Sequence, residues 1–274
     1  LAAALYVWRG GTVSLVAAPN GSVRGSGDRV ISNVFYPVSL NTRGQFVSGA
    51  TVGGVNELLL FTAGSPVAQT VFAIGRPAPG GGNFAGFREA ALDDNGRVLF
   101  QANISGGPTA VFLWENGELK QLARTGEAND RGLTFALMRF PQAAGDRFYA
   151  LLRWNPGQGS EIAEYRDGWR TVVRTGVRST LGPVVNSFVS ERFVVNAAGD
   201  IAFLPALSNG TGVMVRKSDG NDLLVAHTAE RSPDGAWFGN FYDLSFTPDG
   251  SLFFTAISPA ASSDRLVVYQ ASPQ

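Results

Sequence analysis

Short apolar runs separated by polar turns follow one another along the chain. They are most regular between residues 84 and 126, where the turns Asp93–Gly96 and Glu115–Gly117 separate the runs. The pattern predicts four strands, in chain order Phe87–Leu92, Val98–Ala102, Ala110–Trp114 and Leu119–Ala123. No stretch combines a 3.6-residue apolar period with helix caps, so we expect essentially no helix.

This four-strand pattern recurs at intervals of 51 to 53 residues. The residue that ends the third strand recurs at Trp8, Phe61, Trp114, Tyr165, Arg216 and Tyr269. The turn after the first strand recurs five times, at Asn41–Gly44, Asp93–Gly96, Gln142–Gly145, Asn196–Gly199 and Thr247–Gly250. Each copy closes on glycine, which adopts a positive φ at little cost, and most open on a side-chain acceptor. The alternative, a linear solenoid, usually has shorter repeats with fewer strands.

The second and third strands are apolar on nearly every residue, as in Val98-Leu99-Phe100 and Val111-Phe112-Leu113-Trp114. Such strands are typical of sheets buried on both faces, whereas the fourth strand alternates and fits an outer position. Sheets with two buried faces must pack against each other, and radial packing hides all but the outer edges. The sequence therefore predicts an all-β fold, a β-propeller of four-stranded antiparallel blades.

We predict one propeller domain over residues 1–274. Its repeats are a part blade at 1–20, then 34–75, 84–126, 133–176, 186–229 and a closing blade at 238–270. Five blades give the simplest closed ring, and six blades are the alternative. In the five-bladed ring the closing blade takes its outer strand from Thr12–Ala17, so strands are exchanged between the chain ends. One third strand, Leu5–Trp8 or Leu266–Tyr269, is then surplus; it can extend a sheet edge, pair with another molecule, or indicate a chain cut from a larger array.

Composition removes several classes of function. With 22 basic and 22 acidic residues the net charge is zero, so a nucleic-acid partner has no general electrostatic footprint. The absence of cysteine excludes disulfides and thiolate metal sites, and the single histidine, His227, which we interpret as a surface or edge residue, excludes a histidine cluster. We predict no cofactor and no bound metal, since turn chemistry explains Asp93 and Asp94.

No apolar run is long enough for a membrane span, and a chain that begins at Leu1 without a basic-then-apolar leader fits a processed chain or a piece of a longer one.

Several motifs together have a recognisable form: Phe112–Gly117, Ala123–Gly126, the link Pro77–Phe84, and Leu92–Ala102. They resemble the repeats of exported bacterial propeller proteins of unknown function, and the resemblance extends over nearly the whole chain through five diverged copies. The turn Thr247–Gly250 also resembles that of TolB-like surface propellers. The resemblance implies export to the cell surface or the medium and a role in interaction, and it supplies no catalytic residues.

Candidate site residues lie on the first strands, because propeller sites are built from these strands and the links that precede them. Counting back from each turn glycine reaches Pro37, Glu89, Met138, Arg192 and Asp243, with Arg139 and Glu191 one residue away. We predict that the charged members of this set bind a ligand at the mouth of a central channel. If the protein is an enzyme, Glu89 and Asp243 are the carboxylate pair of a glycoside hydrolase, with Arg139 and Arg192 beside them. The alternative is that these opposite charges simply pair with each other.

Two aromatic residues near the last link, Trp237 and Tyr242, suit stacking against sugar rings, as in a lectin. The alternative is that Trp237-Phe238 packs between blades. The links Pro19–Phe35, Val177–Phe188 and Thr228–Phe241 are long, and long loops on a rigid scaffold are common binding surfaces.

The resulting hypothesis is a non-enzymatic exported propeller that binds a protein or glycan partner at its loop face, or assembles through its terminal strands. The alternative hypothesis is a lectin or glycoside hydrolase with its site at the channel mouth.

Overall fold

The computed structural model describes residues 4–9, 11–21, 23–260 and 263–272, and strands account for almost all of its regular structure. Within these ranges the one helical element is a short 3-10 turn, Ser26–Asp28, which confirms the prediction of essentially no helix. The chain divides into two compact units, Leu1–Leu137 and Met138–Gln274. The single domain remains a prediction.

The first unit holds a two-stranded sheet and two four-stranded antiparallel sheets. The two-stranded sheet consists of β1 (Leu5–Arg9) and β2 (Thr12–Ala17). The first four-stranded sheet consists of β3 (Ile31–Leu40), β4 (Gln45–Val52), β5 (Val55–Thr62) and β6 (Gln69–Ala73). The second consists of β7 (Phe84–Leu92), β8 (Val98–Ile104), β9 (Thr109–Glu115) and β10 (Glu118–Arg124).

The remaining strands form two four-stranded sheets and one three-stranded sheet. The first, whose opening strand crosses the unit boundary, consists of β11 (Phe135–Ala144), β12 (Arg147–Trp154), β13 (Ser160–Tyr165) and β14 (Trp169–Arg174). The next consists of β15 (Val185–Val195), β16 (Ile201–Leu207), β17 (Gly210–Arg216) and β18 (Asp222–His227). The last consists of β19 (Phe241–Phe246), β20 (Leu252–Ala260) and β21 (Ser263–Ala271).

These successive four-stranded antiparallel sheets confirm the predicted fold class, an all-β fold of the propeller type. At the two ends of the chain, β2 is paired with β1 and β21 with β20. The predicted exchange of strands between the chain ends would join the two units. That exchange and the blade count therefore remain predictions.

The apolar second and third strands are buried on both faces, as the sequence predicts. In the first unit one cluster joins the two four-stranded sheets through ring contacts of Phe72, whose centroid lies 4.8 Å from that of Phe100 and 4.4 Å from that of Phe84. A second cluster covers the opposite face of β3–β6 and includes Ala17 of β2. Each four-stranded sheet of this unit is thus held by apolar packing against a neighbouring sheet.

The repeated turn after the first strand is stabilised by the side chain that opens it. Asn41 accepts backbone N–H groups of Arg43 and Gln45 at 3.1 and 2.9 Å through Oδ1. Asp93 accepts those of Asn95 and Arg97 at 2.9 and 2.8 Å in the same way. The predicted turn chemistry is confirmed in these copies.

The position predicted for the third turn, Gln142–Gly145, is wrong. Strand β11 continues through Ala144, and the hairpin loop is Gly145 and Asp146 alone. Gln142 instead reaches the next sheet, where its amide nitrogen donates to the carbonyl of Phe193 and its oxygen accepts the N–H of Val195. Phe140 has a φ of +47°, an unusual conformation for a non-glycine residue that alters the path of β11 just before this turn.

The links between sheets share one bridged backbone segment. Each contains an antiparallel bridge, at Arg24–Val30, Pro77–Asn83, Ala128–Thr134, Arg178–Val184 and Arg231–Trp237. Between the bridged residues the same position has a positive φ in every copy, at Asp28, Gly81, Gly132, Gly182 and Gly235. In addition β15 begins at Val185, inside the predicted link Val177–Phe188. The shared segment is therefore common to all links, and the links before β3 and β19 are longer because they have additional residues outside it, as predicted for Pro19–Phe35 and Thr228–Phe241.

Candidate functional site in the bulged first strands

The first strands carry β-bulges at the positions where the candidate residues lie. Register shifts place the extra residues at 36–37 in β3, Arg88 and Glu89 in β7, 189–192 in β15, and Tyr242 and Asp243 in β19. A bulge removes residues from the ladder and redirects their side chains, and bulges are frequent next to binding sites. Four charged candidates from sequence, Glu89, Glu191, Arg192 and Asp243, therefore share one local geometry.

Polar residues on the second strands stabilise two of these bulges. The Ser48 hydroxyl, fully buried, donates to the Phe35 carbonyl at 2.6 Å. The Thr255 hydroxyl accepts the N–H of Asp243 at 3.1 Å. Since a bulge frees backbone groups from the ladder, these side chains replace the lost hydrogen bonds and fix the bulge in place.

Glu191 lies between two guanidinium groups of the second unit. Its Oε1 contacts Arg153 Nη2, and its Oε2 lies 3.7 Å from Arg139 Nε. Counting along the sequence places Met138 in the candidate series, but Met138 is 1% exposed and the neighbouring Arg139 is the residue that faces the charges. Sequence reasoning missed Arg153, although a charged residue inside the apolar run of β12 was a usable signal.

A second charge pair joins the bulges of β15 and β19. Arg192 Nη1 lies 4.0 Å from Asp243 Oδ1, and both side chains are more than two-thirds exposed. The guanidinium also lies 5.8 Å from the ring centroid of Phe140. An exposed pair at this distance contributes little to stability. Within the second unit the opposite charges thus pair with each other, as one of the two alternatives predicts.

Glu89 is half-buried in β7 of the first unit. A catalytic pair of Glu89 and Asp243 would combine residues of the two separate units, so it remains a prediction. Inside the second unit the remaining bulge carboxylate, Glu191, is already compensated by two arginines.

The two aromatic candidates are exposed. Trp237 is 50% and Tyr242 43% exposed, and the Arg231 guanidinium lies 4.9 Å from the Trp237 ring centroid. Phe238, in contrast, is buried against Phe241. The prediction that Trp237-Phe238 packs between blades is therefore wrong for Trp237 and confirmed for Phe238. Tyr242, Asp243, Ile257 and Leu266 line a shallow surface pocket.

His227 is not the surface residue that the sequence suggested. It is 4% exposed at the end of β18, and its Nδ1 accepts the N–H of Ala229 at 3.0 Å. The Gly210 backbone packs closely against the imidazole because glycine has no side chain: a Cβ there would lie 2.8 Å from His227 Nε2.

The described ranges hold no group of three or more histidine, cysteine, aspartate or glutamate side chains placed to bind a metal ion. They also hold no helix that could span a bilayer.

Comparison with solved structures shows the fold and nothing further. The chain is similar to an oligogalacturonate lyase from Vibrio parahaemolyticus, with a TM-score of 0.56 and 9% identity, covering 96% of this chain and 70% of the lyase. It is also similar to a protein from Lactobacillus plantarum (TM-score 0.41, 14% identity, 95% and 74% covered) and to a putative gluconolactonase (TM-score 0.42, 15% identity, 95% and 78% covered). The first match supports the propeller fold class.

No functionally curated protein matches the chain. A family model, described as a family of unknown function (DUF7453), matches residues 1–145, which is more than half of the 274 residues. The part of the resemblance that concerns a propeller of unknown function is thereby confirmed. The chain belongs to the family of unknown function DUF7453.

Proposed function

We propose that this protein is a non-enzymatic, exported bacterial propeller that assembles with further copies of itself through its two terminal sheets. The proposal rests on one observation, the uncovered apolar face of β21. Leu266 and Val268, two residues apart on that strand and hence on one face, are 65% and 64% exposed. Contiguous exposed apolar residues are typical of interaction surfaces.

The corresponding residues of the other sheets are buried. The repeat aligns Leu266 with four third-strand residues that are 0–1% exposed: Leu58, Val111, Ile162 and Val213. Leu58 packs in one cluster with Phe84 of the following sheet, and Val213 in one cluster with Phe241 of the following sheet. In the repeat, this face is therefore the one that a following sheet covers.

The other terminal sheet offers a matching surface. Tyr6, Val13 and Leu15 of β1 and β2 are 60%, 63% and 45% exposed, whereas Ala17 is buried against β3–β6. An apolar face at each end of one chain suits head-to-tail association, in which the β1–β2 sheet of one copy covers β21 of the next. The resemblance to exported propellers supports export, and the paired state of the bulge charges in the second unit favours a non-enzymatic role.

We expect the wild-type chain to self-associate in size-exclusion chromatography with light scattering. L266K/V268K and V13K/L15K should each be monomeric, because a buried lysine without a partner is costly at an apolar interface. V177K/L181K is the matched control: it replaces two apolar residues, 52% and 49% exposed, that lie in a link and should leave the association intact.

Mixing the two monomeric variants identifies the geometry of the contact. Each variant retains one intact face, so a one-to-one complex should form if β1–β2 of one copy covers β21 of another. A wild-type monomer at all concentrations would overturn the proposal and favour closure within one chain. Association that survives both double substitutions would overturn it as well.

A second candidate function, carbohydrate binding, is favoured by the exposure of Trp237 and Tyr242. Aromatic faces stack on sugar rings, and Asp243 beside Tyr242 supplies a hydrogen-bond acceptor. If this protein is a lectin, we expect it to bind ligands on a glycan array. W237A or Y242A should then weaken binding by about 1–3 kcal/mol, the range known for nucleic-acid bases stacked on aromatic side chains. Tyr6→Ala, at a more exposed tyrosine outside the loop region, is the control.

The same preparations separate a lectin from a glycoside hydrolase. Turnover in a hydrolase screen that is lost in Glu89→Gln and Asp243→Asn would favour the enzyme. An empty array together with no turnover would remove both carbohydrate functions.

A further inference from the structure

A cleft of about 140 Å³ lies between the β11–β14 and β15–β18 sheets of the second unit. Tyr149 and Arg147 of β12 line one side, and Gly199 lies against them from the next sheet. A Cβ on Gly199 would lie 2.9 Å from the Tyr149 hydroxyl and 2.8 Å from Arg147 Nη2. Both donor groups therefore reach the cleft only because this position has no side chain.

The Tyr149 hydroxyl makes no hydrogen bond of ordinary geometry, although the residue is only 1% exposed. Burial raises the pKa of this hydroxyl to about 12, and the Glu164 carboxylate raises it further through its charge and a weak hydrogen bond with the hydroxyl. At neutral pH the group is consequently a protonated, buried donor. A buried donor without a well-formed hydrogen bond costs free energy that a ligand or a water can recover.

The carboxylates around the cleft are already engaged. Glu164 accepts Arg170 Nη2 at 2.9 Å, and Asp219 accepts the N–H and the amide nitrogen of Asn221 at 2.9 and 3.1 Å. Arg147, in contrast, has no carboxylate partner in the described part of the chain, and its one protein hydrogen bond, to the Ala198 carbonyl, is long at 3.4 Å.

The two donors have only weak partners and the carboxylates are engaged, so the cleft favours a ligand that accepts hydrogen bonds. We infer that this cleft binds a small oxyanion group, a carboxylate or a phosphate, through the Tyr149 hydroxyl and the Arg147 guanidinium. Arginine presents several N–H groups in a planar fork that matches such groups, and hydrogen bonds to an ionised acceptor are the stronger kind. The site uses no residue of the two terminal sheets and does not depend on the proposed self-assembly.

The test titrates the full chain with acetate and, separately, with inorganic phosphate, at an ionic strength held constant with sodium chloride. The readout is the amide NMR shift of Gly199 and Gly220, which line the cleft. We expect saturable shifts, with the dissociation constant raised about tenfold or more in Tyr149→Phe and in Arg147→Gln. Arg166→Gln, which removes an exposed guanidinium outside the cleft, should leave the affinity unchanged.

Without anion, Tyr149→Phe should be about as stable as the wild type, because the hydroxyl that it removes has only a weak contact with Glu164. This result separates a ligand site from a structural role. Saturation by acetate alone identifies a carboxylate, and saturation by phosphate alone a phosphate. Linear shifts with both anions, or equal affinities in wild type and Tyr149→Phe, would overturn the inference.

Discussion

Replacing Phe100 with alanine should lower the free energy of unfolding by about 3–5 kcal/mol, the range for a fully buried phenylalanine whose removal leaves a cavity. Phe100 is 0% exposed at the centre of the cluster that joins the two four-stranded sheets of the first unit. Its ring centroid lies 4.8 Å from that of Phe72 and 5.5 Å from that of Phe112. The loss therefore affects contacts within its own sheet and contacts between the sheets.

The free energy of unfolding is measured by urea denaturation. Hydrogen exchange at the amides of β8 and β9, measured separately, reports on the first unit directly. Phe253→Ala is the control, since Phe253 lies on a second strand and is only half-buried. A loss in Phe100→Ala no larger than in Phe253→Ala would show that the ring cluster does not hold the two sheets together.

The sequence predicts this core well because the signals for it are local. An apolar second strand, a glycine with positive φ at the turn and a side-chain acceptor such as Asn41 or Asp93 each specify their own few residues. Because these local signals recur in every repeat, together they indicate the fold class. The prediction of the turn at Gln142–Gly145 was wrong, and here the local sequence carries no such signal. Phe140, just before the turn, has a φ of +47°, and phenylalanine is not a residue type from which a positive φ is expected.

The site was only partly predictable. Counting from the turn glycines found Glu89, Arg192 and Asp243, because a fixed turn sets the spacing of every copy. The bulge that displaces them was not visible, since it is a property of the register between two strands and not of either strand alone.

Exposure is the property that the sequence predicted least. Leu266 and Val213 are equivalent apolar residues in equivalent strands, and yet they are 65% and 0% exposed. What differs is whether another sheet packs against them, and no local pattern contains that information. The exposure of the apolar face of β21 is therefore a property of the folded chain that the repeat sequence alone does not specify.

Replacing Arg216 with methionine should cost about 3–5 kcal/mol of unfolding free energy, the expected cost of removing one partner of a buried ion pair. Arg216 Nε and Nη2 donate to the two carboxylate oxygens of Asp222 at 2.6 and 3.0 Å, and the Asp222 side chain is 0% exposed. The same carboxylate accepts the N–H of Thr180 at 2.7 Å, which ties this hairpin to the preceding link. Methionine keeps much of the side-chain volume and leaves the buried carboxylate without its counter-charge.

A matched surface pair tests whether burial is the cause. Arg166 and Asp146 lie 2.8 Å apart, but their side chains are 61% and 42% exposed, so Arg166→Met should change stability by less than about 1 kcal/mol. Equal losses in Arg166→Met and Arg216→Met, measured by urea denaturation, would contradict the argument.

The pair can also be removed as a whole. The sheet β11–β14 has an aromatic pair, Tyr165 opposite Trp169, at the cross-strand position where β15–β18 has Arg216 opposite Asp222. An apolar pair is thus compatible with this position of the repeat. We expect R216M/D222L to recover most of the stability that Arg216→Met loses, because replacing both members of a buried ion pair with apolar residues is often neutral. A double variant no more stable than Arg216→Met would show instead that the Asp222 carboxylate is needed for its hydrogen bond to the Thr180 link.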